Sequence, residues 1–212
     1  MSMSQSTNKG QFITIEGTEG VGKSTNMAFI EQWLNAKGIE LVVTREPGGT
    51  ELGEKLRDVL LDAKETSMCD DTELLLMFAS RAQHIQQIIQ PALNAGKWVL
   101  CDRFTDATYA YQGGGRGIDV ERIAQLEQWV QGDLRPNKTL ILDLQVDLGL
   151  ERAGKRSEPD RFELEKHTFF KNVRDTYLSR AKQNPNQYHI IDASPEIDEV
   201  QKSIAAVLEK MV

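Results

Sequence analysis

"FITIEGTEGVGKST", Phe12 to Thr25, is the stretch that decides the architecture. Phe12–Ile15 is a short apolar run, which predicts a buried strand. Gly17, Gly22, Lys23 and Ser24 then fill the pattern G-x-x-x-x-G-K-[ST], and the residues beyond them open a helix. A strand that passes through a glycine loop into a helix N-terminus builds a phosphate cradle. Backbone N–H groups converge on phosphate oxygens, the helix dipole favours the anion, Lys23 reaches the terminal phosphates, and the Ser24 hydroxyl suits Mg²⁺. Gly17, Thr18, Glu19, Gly20, Val21, Gly22, Lys23, Ser24 and Thr25 are therefore the expected nucleotide-phosphate-binding loop. Glu19 is the anomaly, because a carboxylate ~8 Å from each phosphate charge costs about 2 kcal/mol at an effective dielectric of ~20. It is expected to point away from the phosphates.

Outward from this loop, apolar runs recur at 41–44 (LVVT), 98–102 (WVLCD), 139–144 (TLILDL) and 188–192 (YHIID). Between them apolar residues fall at helical spacing, as in Val120, Ile123, Leu126 and Val130, or Val200, Ile204, Val207 and Met211. Strands that alternate with helices and read as mostly continuous apolar runs predict an α/β fold. The expected form is a five-stranded parallel sheet, buried on both faces and flanked by helices. Function in such sheets gathers beyond the strand C-termini, where Gly17 onward, "REPGGT" (45–50) and "DRF" (102–104) stand. No repeat, low-complexity block or Pro/Gly/Ser linker divides the chain. Residues 11–212 are expected to form one domain behind a polar tail, residues 1–10, that lacks the apolar core of a signal peptide. "AYQGGGRGID" (110–119) and "RAGKRSEPDRFE" (152–163) have the composition of functional loops.

A formal charge of −7 excludes a general nucleic-acid or polyanion binder, so any anion site must be local. Two cysteines, Cys69 and Cys101, make no disulfide framework and point to a reducing, cytoplasmic setting. No apolar run approaches the ~18 residues of a membrane span, so no membrane partner is expected.

Two further segments carry chemistry. Asp102 ends an apolar strand, where a carboxylate serving Mg²⁺ sits in phosphate-loop enzymes, and Arg103 would turn a cation into the same cleft. Arg152, Lys155, Arg156 and Arg161 fall within ten residues of an otherwise acidic chain. Arg156 and Arg161 flank the break "SEPD", which poises them to close on the charge of a phosphoryl-transfer transition state. A guanine-reading N-K-x-D is ruled out, because "NKTL" at Asn137–Leu140 has Leu140 in place of the Asp and leads into a strand.

"EGTEGVGKST", "TREPGGT" (44–50), "FASRAQH" (78–84), "CDRF" (101–104), "AYQGGGRG" (110–117) and "DRFE" (160–163) together resemble the thymidylate kinases of the bacterial type, over nearly the whole chain. The resemblance implies a nucleoside monophosphate kinase architecture with a short lid, about 149–162. It implies transfer of the γ-phosphoryl group of ATP to dTMP with Mg²⁺ held at Ser24 and Asp102, and a cytoplasmic homodimer serving dTTP synthesis. By the same likeness Lys23, Arg103, Arg156 and Arg161 would be catalytic. Arg45 and Arg103 would hold the acceptor phosphate, with Glu46 and Pro47 shaping that loop. Arg81 would donate to thymine O4, with Gln112 completing the base contacts and Thr108 also among the dTMP-binding residues. Tyr111 would lie against the deoxyribose and Glu19 would accept from the 3′-hydroxyl. Two positions depart from the family: Phe104 stands where Tyr is frequent, and the aromatic expected four residues before Arg81 is Met77, so either Met77 or Phe78 covers the base. The residue chemistry agrees, since a donor-only arginine suits thymine O4 and mismatches the amino group of cytosine. A kinase for another nucleotide and a nucleotide-gated switch are the rival readings.

Overall fold

The computed structural model describes residues 10–154 and 160–212. The expected tail up to residue 9 and, within the expected lid, Lys155 and Arg156 lie outside the described residues. The first half runs β1 (Phe12–Glu16), α1 (Lys23–Ala36), β2 (Leu41–Arg45), α2 (Glu51–Leu61), α3 (Asp70–His84), α4 (Gln90–Asn94) and β3 (Trp98–Asp102). The second runs α5 (Thr105–Thr108), α6 (Val120–Gln131), β4 (Lys138–Asp143), α7 (Val146–Ala153), α8 (His167–Gln183), β5 (Tyr188–Asp192) and α9 (Ile197–Leu208). The five strands pair in parallel in the order β2-β3-β1-β4-β5.

Side chains alternate across a strand, and here both faces are apolar. Ile13 and Ile15 of β1, Leu100 of β3 and Leu140 and Leu142 of β4 pack with Ile30 and Leu34 of α1 and Val200, Ile204 and Leu208 of α9. Phe12, Val99 and Cys101 face the other way, onto Phe104 and the Ile85–Leu93 region. Ile141 meets Phe170, Val173 and Tyr177 of α8. Burial on both faces fails at β2 and β5, the sheet edges, where Val43 and Ile190 are 41% and 47% exposed. Their apolar runs signal strand propensity without full burial.

Register sets the position of the site. Asp102 is level with Ile15 on one side and Arg45 on the other, and Glu16 is level with Ile141. The loops that leave β1, β2 and β3 therefore emerge along one edge of the sheet. "NKTL" sits at the opposite edge, where Asn137 Oδ1 accepts from the Phe12 amide at 2.7 Å.

The glycine-rich segment 110–119 is not an irregular loop throughout. Tyr109–Gly115 forms a π-helical turn after α5, a geometry that recurs at functional sites. Its glycines serve close packing on α8: a Cβ on Gly114 would stand 2.1 Å from Thr176 Oγ1 and one on Gly115 2.4 Å from the Phe169 ring. Cys69 and Cys101 are free thiols, and no described helix is long and apolar enough to cross a membrane.

Leu100, fully buried in the central strand, should cost about 2–5 kcal/mol of unfolding free energy when truncated to alanine. Val43→Thr on the exposed side of β2 should change stability by less than about 0.5 kcal/mol, both read by urea denaturation.

Candidate active site

The loop between β1 and α1 adopts the expected phosphate-cradle shape because its glycines take backbone angles other residues avoid. Gly20 has φ 72° and lies so close to α7 that a Cβ would meet Gly149 O at 1.9 Å. Gly22, at φ 88°, caps α1. Lys23 is buried and its Nζ folds back onto the carbonyls of Gly17 (3.3 Å) and Thr18 (3.4 Å). Burial, then the nearby Arg103, lowers its pKa. Ser24 and Thr25 are exposed at the helix start, whereas the Val21 side chain turns into the core, leaving only its backbone to the loop.

Beside this loop opens a cleft, lined at its mouth by Glu19, Pro47, Arg57 and Arg103 and deeper in by Glu46, Met77, Arg81, Thr108, Tyr111 and Gln112. Arg103 reaches it from a left-handed backbone, φ 66°, which costs on the order of 1–3 kcal/mol in a non-glycine residue. Its Nη2 donates to Glu19 Oε1 at 2.8 Å and to Tyr111 Oη at 2.8 Å, and the Tyr111 hydroxyl donates to the same Glu19 oxygen at 2.7 Å. Burial alone would push the Glu19 carboxyl up, but Arg103, Lys23 and the Tyr111 hydrogen bond override it and hold it at about 2. Glu19 thus turns from the phosphate loop toward the neighbouring cleft, as its charge requires. Arg103 Nε and Asp102 Oδ1 are buried without a partner among the described residues.

The inner end is organised by Glu46. It accepts from Arg81 Nε at 2.7 Å and bonds His84 Nδ1 at 2.9 Å, while His84 Nε2 meets Thr44 Oγ1 at 2.6 Å. This ties the "REPGGT" turn to α3. Arg81 is 2% exposed, and its Nη2 donates to Phe104 O and Thr108 Oγ1. Its remaining Nη1 is buried without a partner. Met77, four residues before Arg81, lines the cleft. Phe78, the other residue expected as a cover for the base, lies outside that lining: it packs with Leu74, Tyr109, Ile118 and Ile123, its ring under the Arg81 guanidinium.

Two cations differ from expectation. Arg45 is exposed and pairs with Glu54 at 2.8 Å, outside the cleft lining, and the residue that lines the mouth is Arg57, held by Pro47 O at 2.8 Å. Arg57 is depressed by burial, then by Arg45 and Arg103, so three guanidiniums crowd one another where a polyanion would relieve them. Arg57 carries no motif, and its only signal is a position on the buried face of the helix after "REPGGT". Arg161, expected to swing as a lid cation, is instead pinned. Its Nε donates to Leu60 O at 2.9 Å and its Nη2 to Glu73 Oε2 at 2.6 Å. The buried Glu73 carboxylate captures it, which fixes Asp160 and Phe162 against the cleft. His84 lies in the "FASRAQH" motif, one turn past Arg81, and Glu73 had no sequence signal beyond its helix.

A family model described as thymidylate kinase matches residues 15–204. The thymidylate kinase of Ectopseudomonas mendocina (strain ymp) is 57% identical over 203 residues, 96% of this chain and 97% of its own. That of Pseudomonas syringae pv. tomato is 55% identical over the same shares. A crystal structure of thymidylate kinase from Ehrlichia chaffeensis superposes with a TM-score of 0.77 at 35% identity, covering 96% of this chain and all of that one.

Glu19 supplies a test of the mouth. A carboxylate held at about 2 in the folded chain contributes stability that is complete above its unfolded value near 4.5 and is lost as pH falls toward 2. The gap in unfolding free energy between wild type and Glu19→Gln, on the order of a few kcal/mol at neutral pH, should therefore shrink as pH falls below about 4.5. A gap independent of pH would contradict the pairing.

Proposed function

We propose how the cleft works from one premise: the chain belongs to the thymidylate kinase family, the enzymes that transfer the γ-phosphoryl group of ATP to dTMP, giving dTDP and ADP. The observation that carries the residue assignment is the unpartnered Arg81 Nη1 at the inner end of a cleft whose mouth gathers Arg103 and Arg57. A ligand with an acceptor at one end and a polyanion at the other suits it, and dTMP has thymine O4 and a phosphate in those places.

On this reading residues 11–212 work as one kinase domain, with 149–162 as the lid. The loop amides from Gly17 to Thr25 and Lys23 cradle the ATP phosphates, and Lys23 exchanges its loop carbonyls for phosphate oxygens. Arg103 and Arg57, with Arg45 close behind, hold the acceptor phosphate. Tyr111 walls the sugar, packed edge-on against Phe162 and Phe169, and the second oxygen of Glu19 accepts from the 3′-hydroxyl. Met77 covers the base. Glu46 acts through Arg81, which it orients, and Arg161 closes the lid end onto Glu73. Arg156, outside the described residues, is the lid cation assigned to the transition state.

No general base is required, because the second pKa of a phosphate monoester is ~6 and the dianion is already the nucleophile at neutral pH. A dTMP phosphate oxygen attacks the γ-phosphorus, the bond to the β–γ bridging oxygen breaks, and ADP leaves with the electron pair. ATP-dependent transfer generally needs a divalent metal, and we assign Mg²⁺. Among the described residues no group of three or more His, Cys, Asp or Glu is placed to hold an ion, so it would be held largely by the nucleotide's own phosphates. The orphaned Asp102 Oδ1 and the exposed Ser24 hydroxyl fit the rest of its shell. When bound, the ion neutralises charge on the transferring phosphates.

The two free thiols support a cytoplasmic setting. A homodimer is supported by an apolar groove between α3 and α6, lined by Ala79, Ala82, Ile85, Leu126 and Val130, and bordered by Leu75 and Trp129, which are 56% and 82% exposed. Trp129→Glu should convert the dimer to monomer in light scattering while leaving the thermal unfolding of the fold cooperative.

ADP release over a panel of nucleoside monophosphates tests the acceptor: dTMP should stimulate strongly and dCMP hardly at all. Equal stimulation would sink the base reading, and none by any acceptor would favour a nucleotide switch. Lys23→Met should lower kcat by roughly 10²–10³-fold or more with an unchanged melting temperature.

A further inference from the structure

Glu73 has no place in the assignments above beyond its hold on Arg161, yet it is 1% exposed in α3 and four hydrogen bonds converge on it. Its Oε1 accepts from Gln112 Nε2 at 2.8 Å and Arg116 Nε at 3.3 Å. Its Oε2 accepts from Arg161 Nη2 at 2.6 Å and Arg116 Nη2 at 3.2 Å. A carboxylate between two guanidiniums offers acceptors only. The group that Gln112 turns toward it must therefore be the amide NH₂. Gln112 lines the cleft and is itself 1% exposed. Its Oε1 takes no part in that contact, which leaves the carbonyl for a ligand.

A glutamine amide left to itself turns over at little cost, exchanging C=O for NH₂, because its terminal torsion is broad and two-fold. Held this way, it places an acceptor in the same pocket as the orphan donor Arg81 Nη1. A pyrimidine edge with O4 beside N3–H matches that pair. Cytosine offers an amino donor and a bare N3, which set donor against donor and acceptor against acceptor.

We infer that Glu73 is a specificity-determining positioning residue, which fixes the Gln112 amide so that its carbonyl selects a pyrimidine carrying a proton on N3. The inference rests on the reading of the cleft as the dTMP site. Glu73 touches no substrate and acts through Gln112. Its two arginines hold the carboxylate in place, and Arg161 links it to the turn whose Asp160 and Phe162 line the same cleft.

The test is the ratio of kcat/KM for dTMP to that for dCMP, with dUMP as control because it differs from dTMP only by the methyl group. In Glu73→Gln the facing amide can present either group, so the dTMP/dCMP ratio should fall about tenfold, the size expected for one mispaired buried hydrogen bond. The dTMP/dUMP ratio should hold. In a Gln112→Leu background the same substitution should leave the dTMP/dCMP ratio unmoved, since the group Glu73 acts through is gone. Should Glu73→Gln fail to fold, Glu73→Asp keeps the charge for Arg116 and Arg161 but withdraws it from Gln112 by one methylene, and its ratio should fall likewise. An unchanged dTMP/dCMP ratio in a folded variant, an equal fall in the Gln112→Leu background, or a parallel fall in the dTMP/dUMP ratio would each overturn the inference while leaving the dTMP reading intact. A wild-type chain that does not prefer dTMP to dCMP would overturn both.

Discussion

The parallel ladder through β2, β3 and β1 is the constraint on which the site depends. Hydrogen bonding fixes the offset of each strand to a single residue, and that offset sets Arg45, Asp102 and Ile15 level. Three loops far apart in sequence are thereby delivered to one edge, where the sheet changes direction around β1. The turn after β3 then bends sharply, Arg103 taking its left-handed backbone. The following amide, Phe104 N, is caught at 2.7 Å by Glu16 Oε1, while Glu16 Oε2 accepts from Tyr177 at 2.8 Å. Burial, then Asp106, pushes the Glu16 carboxyl up to about 8.

Charge is handled locally in an acidic chain. Two cations of the cleft are each braced by an enclosed carboxylate, Arg103 by Glu19 and Arg81 by Glu46, and Glu73 does the same for Arg116 and Arg161 outside the cleft lining. Such pairs add little net stability over well-packed apolar residues, but breaking one leaves a stranded charge. What they secure is direction. In the two cleft pairs the acid occupies part of the guanidinium and leaves one buried nitrogen without a partner among the described residues, Arg103 Nε and Arg81 Nη1. Preorganised donors of this kind need no reorganisation when charge develops on a substrate. The same logic explains Glu19, an anion beside a phosphate loop that spends its charge on Arg103 instead of opposing ATP.

Local features were legible in the sequence because they rest on interactions within a few residues. All five strands fall within a residue of their apolar runs, the glycines of 17–22 mark the cradle, and Asp102 stands at its strand end as hydropathy predicts. Composition alone, with a net charge of −7, implied that any anion site would have to be local. Which side chains share a cavity was decided only by tertiary structure. Met77 and Phe78 are neighbours on one helix, and the packing of Tyr109, Ile118 and Ile123 against α3 is what draws Phe78 into the core and leaves Met77 to the cleft. Arg57 lines the mouth, whereas Arg45 stands outside the lining, paired with the exposed Glu54. Arg161 meets Glu73 across 88 positions, and Gln112 meets it across 39. No periodicity reports such pairs, since they exist only after the strand order and its crossovers have brought α3, the π-helical turn and the turn at Asp160–Phe162 together.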